Sequence, residues 1–295
     1  MSSPSSRETR GRRGGLWPRF APNAEFYSYV ARGYDQTASS YDLVEGTNAI
    51  SERVRRATLN TALRSFRRGD RILELGCGTG RDAVAMAGAG IRVVATDVSQ
   101  QMIQATALRA QHEGLEDLVT VRKLPAAEAA QRGAPFDGVY SNGAVLNLEP
   151  DLDSVARGLG ETVRPGGTAV LTAANRVSLF ELVVYPLAFR PRKAFRKLGS
   201  TVPIPISREG IGKRYVVPAR FLTPREFCAP FAEHFDLKSL RSLQAITPPW
   251  NFADIAQRFR DVVLPLERIE DRLGEARLLR SLGAIYLTVL RRRDR

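Results

Sequence analysis

Residues 71–80, "RILELGCGTG", place three alternating glycines directly after five residues suited to a buried strand. Gly76, Gly78 and Gly80 let the chain turn sharply and bring its backbone against a ligand without a Cβ in the way. The dinucleotide fingerprint Gly-x-Gly-x-x-Gly is not met, because Arg81 stands where its third glycine would be. No Gly-Lys-Ser/Thr follows either, so this is not the phosphate cradle of a nucleotide triphosphatase. The next apolar run, "IRVVA" (91–95), leads into Thr96-Asp97 and sets a carboxylate 21 residues after Gly76. At that separation an acid reaches both hydroxyls of a ribose. A glycine loop with a ribose acid and no pyrophosphate cradle suits an adenosine ligand without phosphates.

Strands and helices alternate outward from this turn. A helix is expected over about 82–89 and another over 100–113, with strands at 119–124 and 136–141. A helix at 152–163 and a strand at 168–174 continue the series. Such alternation predicts a parallel sheet covered on both faces. After Asn175 it breaks: an apolar stretch, "VSLFELVVYPLAF", runs into a basic one and then a Pro-punctuated loop to about Arg220. Thr223 and Pro224 open a further helix. "DLKSLRSL" (236–243) reads as a sixth strand, 249–280 as helical, and "GAIYLTVLRR" (283–292) as the last strand. Toward the N-terminus, "AEFYSYVARGYDQTASSYDLV" is helical and repeats Tyr27, Tyr34 and Tyr41 every seven residues.

The net charge of +13 is concentrated in three places. Residues 1–20 carry five Arg and one Glu, residues 190–214 eight Lys/Arg and one Glu, and residues 291–295 four Arg and one Asp. These segments are either solvated or attract an anionic substrate, lipid surface or nucleic acid. Two cysteines, Cys77 and Cys228, do not make a secreted disulfide framework and point to a cytoplasmic protein. No apolar run is long enough to span a membrane, and no secretory signal is evident.

The segments "ILELGCGTG", "VVATDVSQQM", "FDGVYSNGAVLNL" and "VRPGGTAVLTAAN" resemble, in order and spacing, those of class I S-adenosylmethionine-dependent methyltransferases of the small-molecule type. "YDQTASSYDLV" (34–44) is similar to the N-terminal helix that closes over the cofactor in many members. The resemblance implies a Rossmann-like, doubly wound, seven-stranded, mostly parallel sheet with helices on both faces. An N-terminal helical cap and two helical insertions forming a lid would complete it. The expected organisation is a disordered basic tail (1–22), the cap (23–66) and the cofactor-binding core (67–175). A lid and acceptor insertion (176–220), the sixth-strand region (221–248), a second insertion (249–282) and the last strand with its basic end (283–295) follow.

By the same resemblance, S-adenosylmethionine is the cofactor. Glu74, Gly76, Cys77, Gly78 and Gly80 would surround its methionine half, with Asn142 at the methionine end. Asp97 would hold the ribose, Val98 and Met102 would flank the adenine, and Tyr41 would close over the carboxylate. Tyrosines at this spacing equally pack a helix onto a core. Many members carry Asp-Ala after the third strand; here Pro125 replaces the Asp, leaving a backbone contact at Ala126 and Glu128 as a substitute carboxylate.

Methyl transfer from a sulfonium expels a neutral leaving group, so alignment supplies much of the rate and no metal is expected. A base is needed only for an acceptor that arrives protonated. The two histidines, His112 and His234, fall away from the carboxyl edge of the sheet, which leaves Glu149, Asn147 and Tyr34 as candidate catalytic residues. The insertions, with Phe180, Tyr185, Phe189, Tyr215, Trp250 and Phe252 beside Arg and Lys, suit a partly hydrophobic small-molecule acceptor carrying an acid. The alternative is a lipid or isoprenoid-quinone acceptor met at a membrane surface through peripheral contact. A catalytically silent cofactor-binding domain and a nucleic-acid methyltransferase are the remaining readings. Nucleic acid is not expected as a partner, because no recognisable RNA-binding module is present.

Overall fold

The computed structural model describes residues 24–133, 135–199, 201–206 and 215–294. The expected tail at 1–22, part of the basic 190–214 segment and Arg295 lie outside the described residues. Two helices come first, α1 (Ala24–Thr47) and α2 (Ala49–Ser65), the second capped by Asn48, whose side chain accepts from the Ile50 and Ser51 amides. The alternating part then runs β1 (Arg71–Leu75), α3 (Arg81–Gly88), β2 (Arg92–Asp97), α4 (Gln100–His112), β3 (Val119–Lys123) and α5 (Ala126–Ala130). It continues with β4 (Phe136–Ser141), α6 (Leu152–Thr162) and β5 (Val163–Ala174).

The insertion holds α7 (Leu179–Leu187), α8 (Pro191–Ala194), β6 (Thr201–Pro205) and β7 (Val216–Arg220). Beyond it lie α9 (Pro224–Cys228), β8 (Phe235–Leu243), α10 (Ala253–Arg258), α11 (Arg260–Leu273) and β9 (Ile285–Arg292). Seven strands form one sheet in the order β3-β2-β1-β4-β5-β9-β8. The four neighbouring pairs from β3 to β5 are parallel, and β9 alone runs against the other strands, pairing antiparallel with both β5 and β8.

Buried strands with apolar residues on both sides need a layer on each face. One layer packs α5, α6 and α9 on the sheet through Phe136, Leu159, Phe227 and Phe231. The other sets α2, α3 and α4 on Ile72, Ala83, Met86 and Ile103. A smaller apolar cluster joins Phe26 and Val30 of α1 to Val217 of β7, with Val98, Tyr34 and Leu148 packed against it. The first helix and the β6–β7 ribbon therefore roof the carboxyl edge together. They meet at Gly33, where a Cβ would stand 2.5 Å from Ile206.

The first insertion is not wholly helical. Its second half, read as a loop because of its prolines, is an antiparallel ribbon in which Pro203 lies opposite Pro218. Both strands of a two-stranded ribbon are edges, and there a missing N–H breaks no inner ladder. The fifth strand also starts five residues earlier than expected, with an irregularity in its pairing between Phe136 and Gly138 of β4.

Candidate cofactor and acceptor site

The strand order reverses between β1 and β4, and open α/β sheets bind ligands beyond the carboxyl ends of the strands at such a point. Here the glycine loop, Asp97 and Asn142 arrive from β1, β2 and β4. Gly76 has a φ of +72° and donates its N–H to the Thr96 carbonyl at 2.8 Å; any Cβ on it would run into the Val145 side chain. Gly78, at φ +55°, donates to Asp97 Oδ2 at 3.1 Å, tying the loop to the acid that follows β2. Asp97 also accepts from the Ser99 amide at 2.9 Å. Burial nonetheless outweighs these amides and raises its carboxyl above the usual range.

The first helix latches onto this loop through two aspartates the sequence reading passed over. Asp35 accepts from the Ser99 hydroxyl (2.5 Å) and the Gln101 amide (3.1 Å) at the start of α4. One heptad on, Asp42 accepts from the Thr79 hydroxyl and pairs with Arg109. The repeat Tyr34-Asp35…Tyr41-Asp42 was visible, but only its tyrosines had been given work. The Tyr41 ring lies 4.0 Å from where a Gly78 Cβ would be, so it covers the loop. Burial, with Asp97 and Glu45 nearby, pushes the Tyr34 phenol up, and burial with Tyr34 and Glu45 does the same for Tyr41. Both phenols stay protonated at neutral pH. Tyr34 therefore stands with Val98 beside Asp97 and is not poised as a base.

Glu74 is buried at the end of β1, in register with Ala95 of β2 and Tyr140 of β4. Its Oε2 has no hydrogen-bond partner, and burial, followed by Asp82 and Asp97, holds its carboxyl well above the ordinary value. Asp82, in the first turn of α3, accepts from the Tyr140 hydroxyl (2.7 Å) and the Asn142 amide (3.1 Å) and pairs with Arg55 (2.6 Å). An acid in a first helical turn is ordinary, so nothing in the sequence had marked it. Asn142 thus turns its amide nitrogen inward to Asp82 and its oxygen to Gly143 and Thr172.

Several other candidates are placed differently from expectation. The Cys77 thiol points back at Thr106 of α4 (3.4 Å), leaving its backbone to the loop. Met102 is fully buried behind Ser99, whose hydroxyl accepts its N–H at 3.1 Å. Ala126 opens α5, but Glu128 is exposed and pairs with Arg132 (3.2 Å), so it offers no carboxylate to the cleft. Asn147 spends its amide on backbone: its Nδ2 donates to Ala174 (2.9 Å) and Arg220 (2.6 Å), and its Oδ1 accepts from the Ala174 N–H (2.7 Å). Glu149 accepts from the Tyr27 hydroxyl (2.7 Å) and the Asp151 amide (3.2 Å), a clamp holding α1 down. Both side chains thus hold protein groups to one another. Their polarity had suggested chemistry, whereas both are satisfied joints.

His112 is solvent-exposed at the end of α4, and the His234 ring fills the space above Gly160 of α6. Phe180 of α7 meets Phe252 edge to face and Tyr185 meets it at a tilt, each at 5.4 Å, joining the two insertions, and Tyr215 packs on Tyr29 at 5.0 Å. Phe189 and Trp250 are instead exposed. No group of acids, histidines and cysteines among the described residues could hold a metal.

Residues 72–167 match the family described as "Methyltransferase domain". That stretch covers the strands and loops just described, from the glycine loop past Asn142. That stretch is a methyltransferase domain of the class I S-adenosylmethionine-dependent kind. Similar relatives include the 27-O-demethylrifamycin SV methyltransferase of Amycolatopsis mediterranei, 29% identical over 48% of this chain and 57% of that one. The demethylmenaquinone methyltransferase of Symbiobacterium thermophilum is 29% identical over 55% of this chain and 67% of that one. The ubiquinone biosynthesis O-methyltransferase of Mesorhizobium japonicum is 36% identical over 37% of this chain and 42% of that one. The chain thus spans roughly half the length of the relatives it matches.

Among solved structures, the CcbJ methyltransferase of Streptomyces caelestis superposes with a TM-score of 0.58 at 17% identity, covering 88% of this chain and 98% of that one. The [4+2]-cyclase SpnF gives the same TM-score and identity over 90% and 95% of the two chains. Both likenesses describe the fold. A cyclase among them means that the family scaffold alone does not define a reaction.

Proposed function

We propose that this chain is an S-adenosylmethionine-dependent methyltransferase acting on a small, partly hydrophobic, anionic acceptor. The observation that carries the reading is the acid-lined turn at the strand-order reversal: Glu74 with an unpartnered oxygen, Asp82 and Asp97 in a protein of net charge +13. A buried acid without a partner is costly, and a cationic ligand such as the sulfonium cofactor relieves that cost. The bound cofactor supplies an electrophilic methyl group. Around it, Asp97 keeps lone pairs free for ribose hydroxyls beyond the backbone amides it accepts. Gly78 keeps the wall open beneath Tyr41, and Val98 with Tyr34 closes the apolar side.

Glu149 and Asn147 are tied up, and the tyrosines hold their protons. The acceleration therefore comes from orientation of an acceptor that is already nucleophilic. O-, N- and C-methylation all remain within that description. Calorimetric titration with S-adenosylmethionine tests the reading, with 1:1 binding expected and a loss of about tenfold or more in Asp97→Ala. No binding to the intact chain would sink it. Mass spectrometry of products from a metabolite extract then separates turnover from silent binding.

A second reading, a lipid or isoprenoid-quinone acceptor with peripheral membrane contact, is favoured by the outward-facing apolar residues of α7. Two of the relatives are named for quinone methylation, which supports the same direction. No helix among the described residues is long and apolar enough to cross a membrane.

A further inference from the structure

The helix α7 buries an acid and leaves apolar side chains in solvent. Its buried residue is Glu181, paired with Lys197 at 2.7 Å, while Val183 and Leu187 are 49% and 74% exposed. The helix ends in the two-bond cap that usually has glycine at its turning residue. Arg190 N–H reaches the Tyr185 carbonyl (2.8 Å), Phe189 N–H reaches Pro186 (3.0 Å), and Phe189 itself takes the left-handed φ of +56°. A bulky side chain there is strained. Its ring is 95% exposed, so no packing offsets that strain. Strain retained without a gain in folding points to function.

Phe195 and Leu198 follow, 54% and 55% exposed, interleaved with exposed Arg190, Arg192, Lys193 and Arg196. No acidic residue occurs between Glu181 and Glu209. Trp250, 60% exposed, extends the face from the neighbouring insertion that stacks on α7 through Phe252. Charge chooses among the possible occupants. Residues 1–20 carry five Arg and one Glu, so the chain's own N-terminus is repelled. A two-fold pairing with a second copy would set the same cations against each other. An anionic bilayer satisfies both parts, taking apolar tips into the acyl boundary and cations at its phosphates.

We propose that α7 and α8 form a docking element for an anionic lipid surface, with Leu187 and Phe189 inserting and Arg190, Arg192, Lys193 and Arg196 meeting the headgroups. The proposal rests on the insertion lying on the acceptor side, and it implies an acceptor that partitions into the bilayer.

Co-sedimentation of the full chain with phosphatidylcholine vesicles, with and without equal parts of phosphatidylglycerol, tests it without cofactor or acceptor. Binding is expected only to the anionic vesicles and should weaken as salt rises. Phe189→Gly should lower that binding by about tenfold while Tm stays level or rises by roughly 2 °C, because glycine relieves the strained cap. Arg190→Glu with Arg192→Glu should lower it further, by roughly fivefold or more for each charge. All variants keep the basic N-terminus, so a difference between them belongs to α7 and α8. Equal binding to neutral vesicles, unchanged binding in Phe189→Gly, or a concentration-dependent dimer in light scattering that Phe189→Gly abolishes would each overturn the proposal. Cofactor binding by calorimetry is read separately, so a failure here leaves the methyltransferase reading standing, and the reverse.

Discussion

Glu74, at the end of β1, and Glu270, in α11, are each 2% exposed, yet their surroundings differ completely. Glu270 accepts from the Ala245 and Ile246 amides (2.5 and 3.0 Å), the Thr247 hydroxyl (2.7 Å) and Arg53 (2.9 Å). Burial alone would raise its carboxyl, but these partners win and hold it below the usual range. Glu74 has an oxygen with no partner, and burial with Asp82 and Asp97 drives its carboxyl up. The first acid is a finished joint that pins the loop after β8 between α2 and α11. The second keeps one oxygen open, and we propose that the cofactor's charge completes it.

The largest expected effect comes from breaking the finished joint. Glu270→Gln leaves Arg53 with a weakened buried partner and should cost about 3 kcal/mol or more, read by urea denaturation. Hydrogen exchange should then rise first in 244–249 and 253–273. A wild-type exchange pattern there would mean that the joint is not what holds this insertion.

Glu74→Gln should act in the opposite direction. Removing a buried carboxyl whose ionisation opposes the fold should leave the cofactor-free protein as stable as before or up to about 1–3 kcal/mol more stable and weaken S-adenosylmethionine binding in calorimetry. A variant that loses both stability and affinity would show that the carboxylate has a structural partner after all.

The pH dependence sharpens the contrast. The Glu74 carboxyl is raised, so its contribution favours the fold below the ordinary carboxylate pKa of about 4.3 and is lost as pH climbs through the raised value. Glu270 is lowered, so its contribution is present above that point and lost as pH falls through the lowered value. The Tm gain of Glu74→Gln should accordingly grow from acid to neutral pH, and the Tm deficit of Glu270→Gln should shrink toward acid. Parallel Tm–pH curves for the two variants would contradict the comparison. The smallest effect is expected at the α1 latch: Asp42→Asn breaks a half-exposed pair with Arg109 and should cost only about 0.5 kcal/mol, visible as faster exchange in α1.

The glycine loop was readable because its constraints are local. Glycines at 76, 78 and 80 adopt the left-handed backbone their spacing announced, and Asp97 reaches them from the next strand. The tyrosine heptad does lie along one continuous helix. The partners of Asn147 and Glu149 were not readable, because side-chain type does not reveal who the partner is. Asn147 and Glu149 looked reactive and are consumed by backbone and by Tyr27. The ribbon was hidden by prolines that matter only in inner strands. Asp35, Asp42 and Asp82 were missed since each is an unremarkable helical acid until α1, α3 and α4 are brought together.

The Asn147 amide has a consequence for how such a scaffold diversifies. It bonds Ala174 and Arg220 at once, and Asn175 bridges to Leu222 just behind, so the segment between leaves and rejoins the sheet at one place. A loop whose ends are already held together can change length at a cost that grows only logarithmically. The 176–220 stretch is therefore an exchangeable cassette, and a different acceptor could be accommodated by rewriting it without disturbing a single strand of the cofactor sheet.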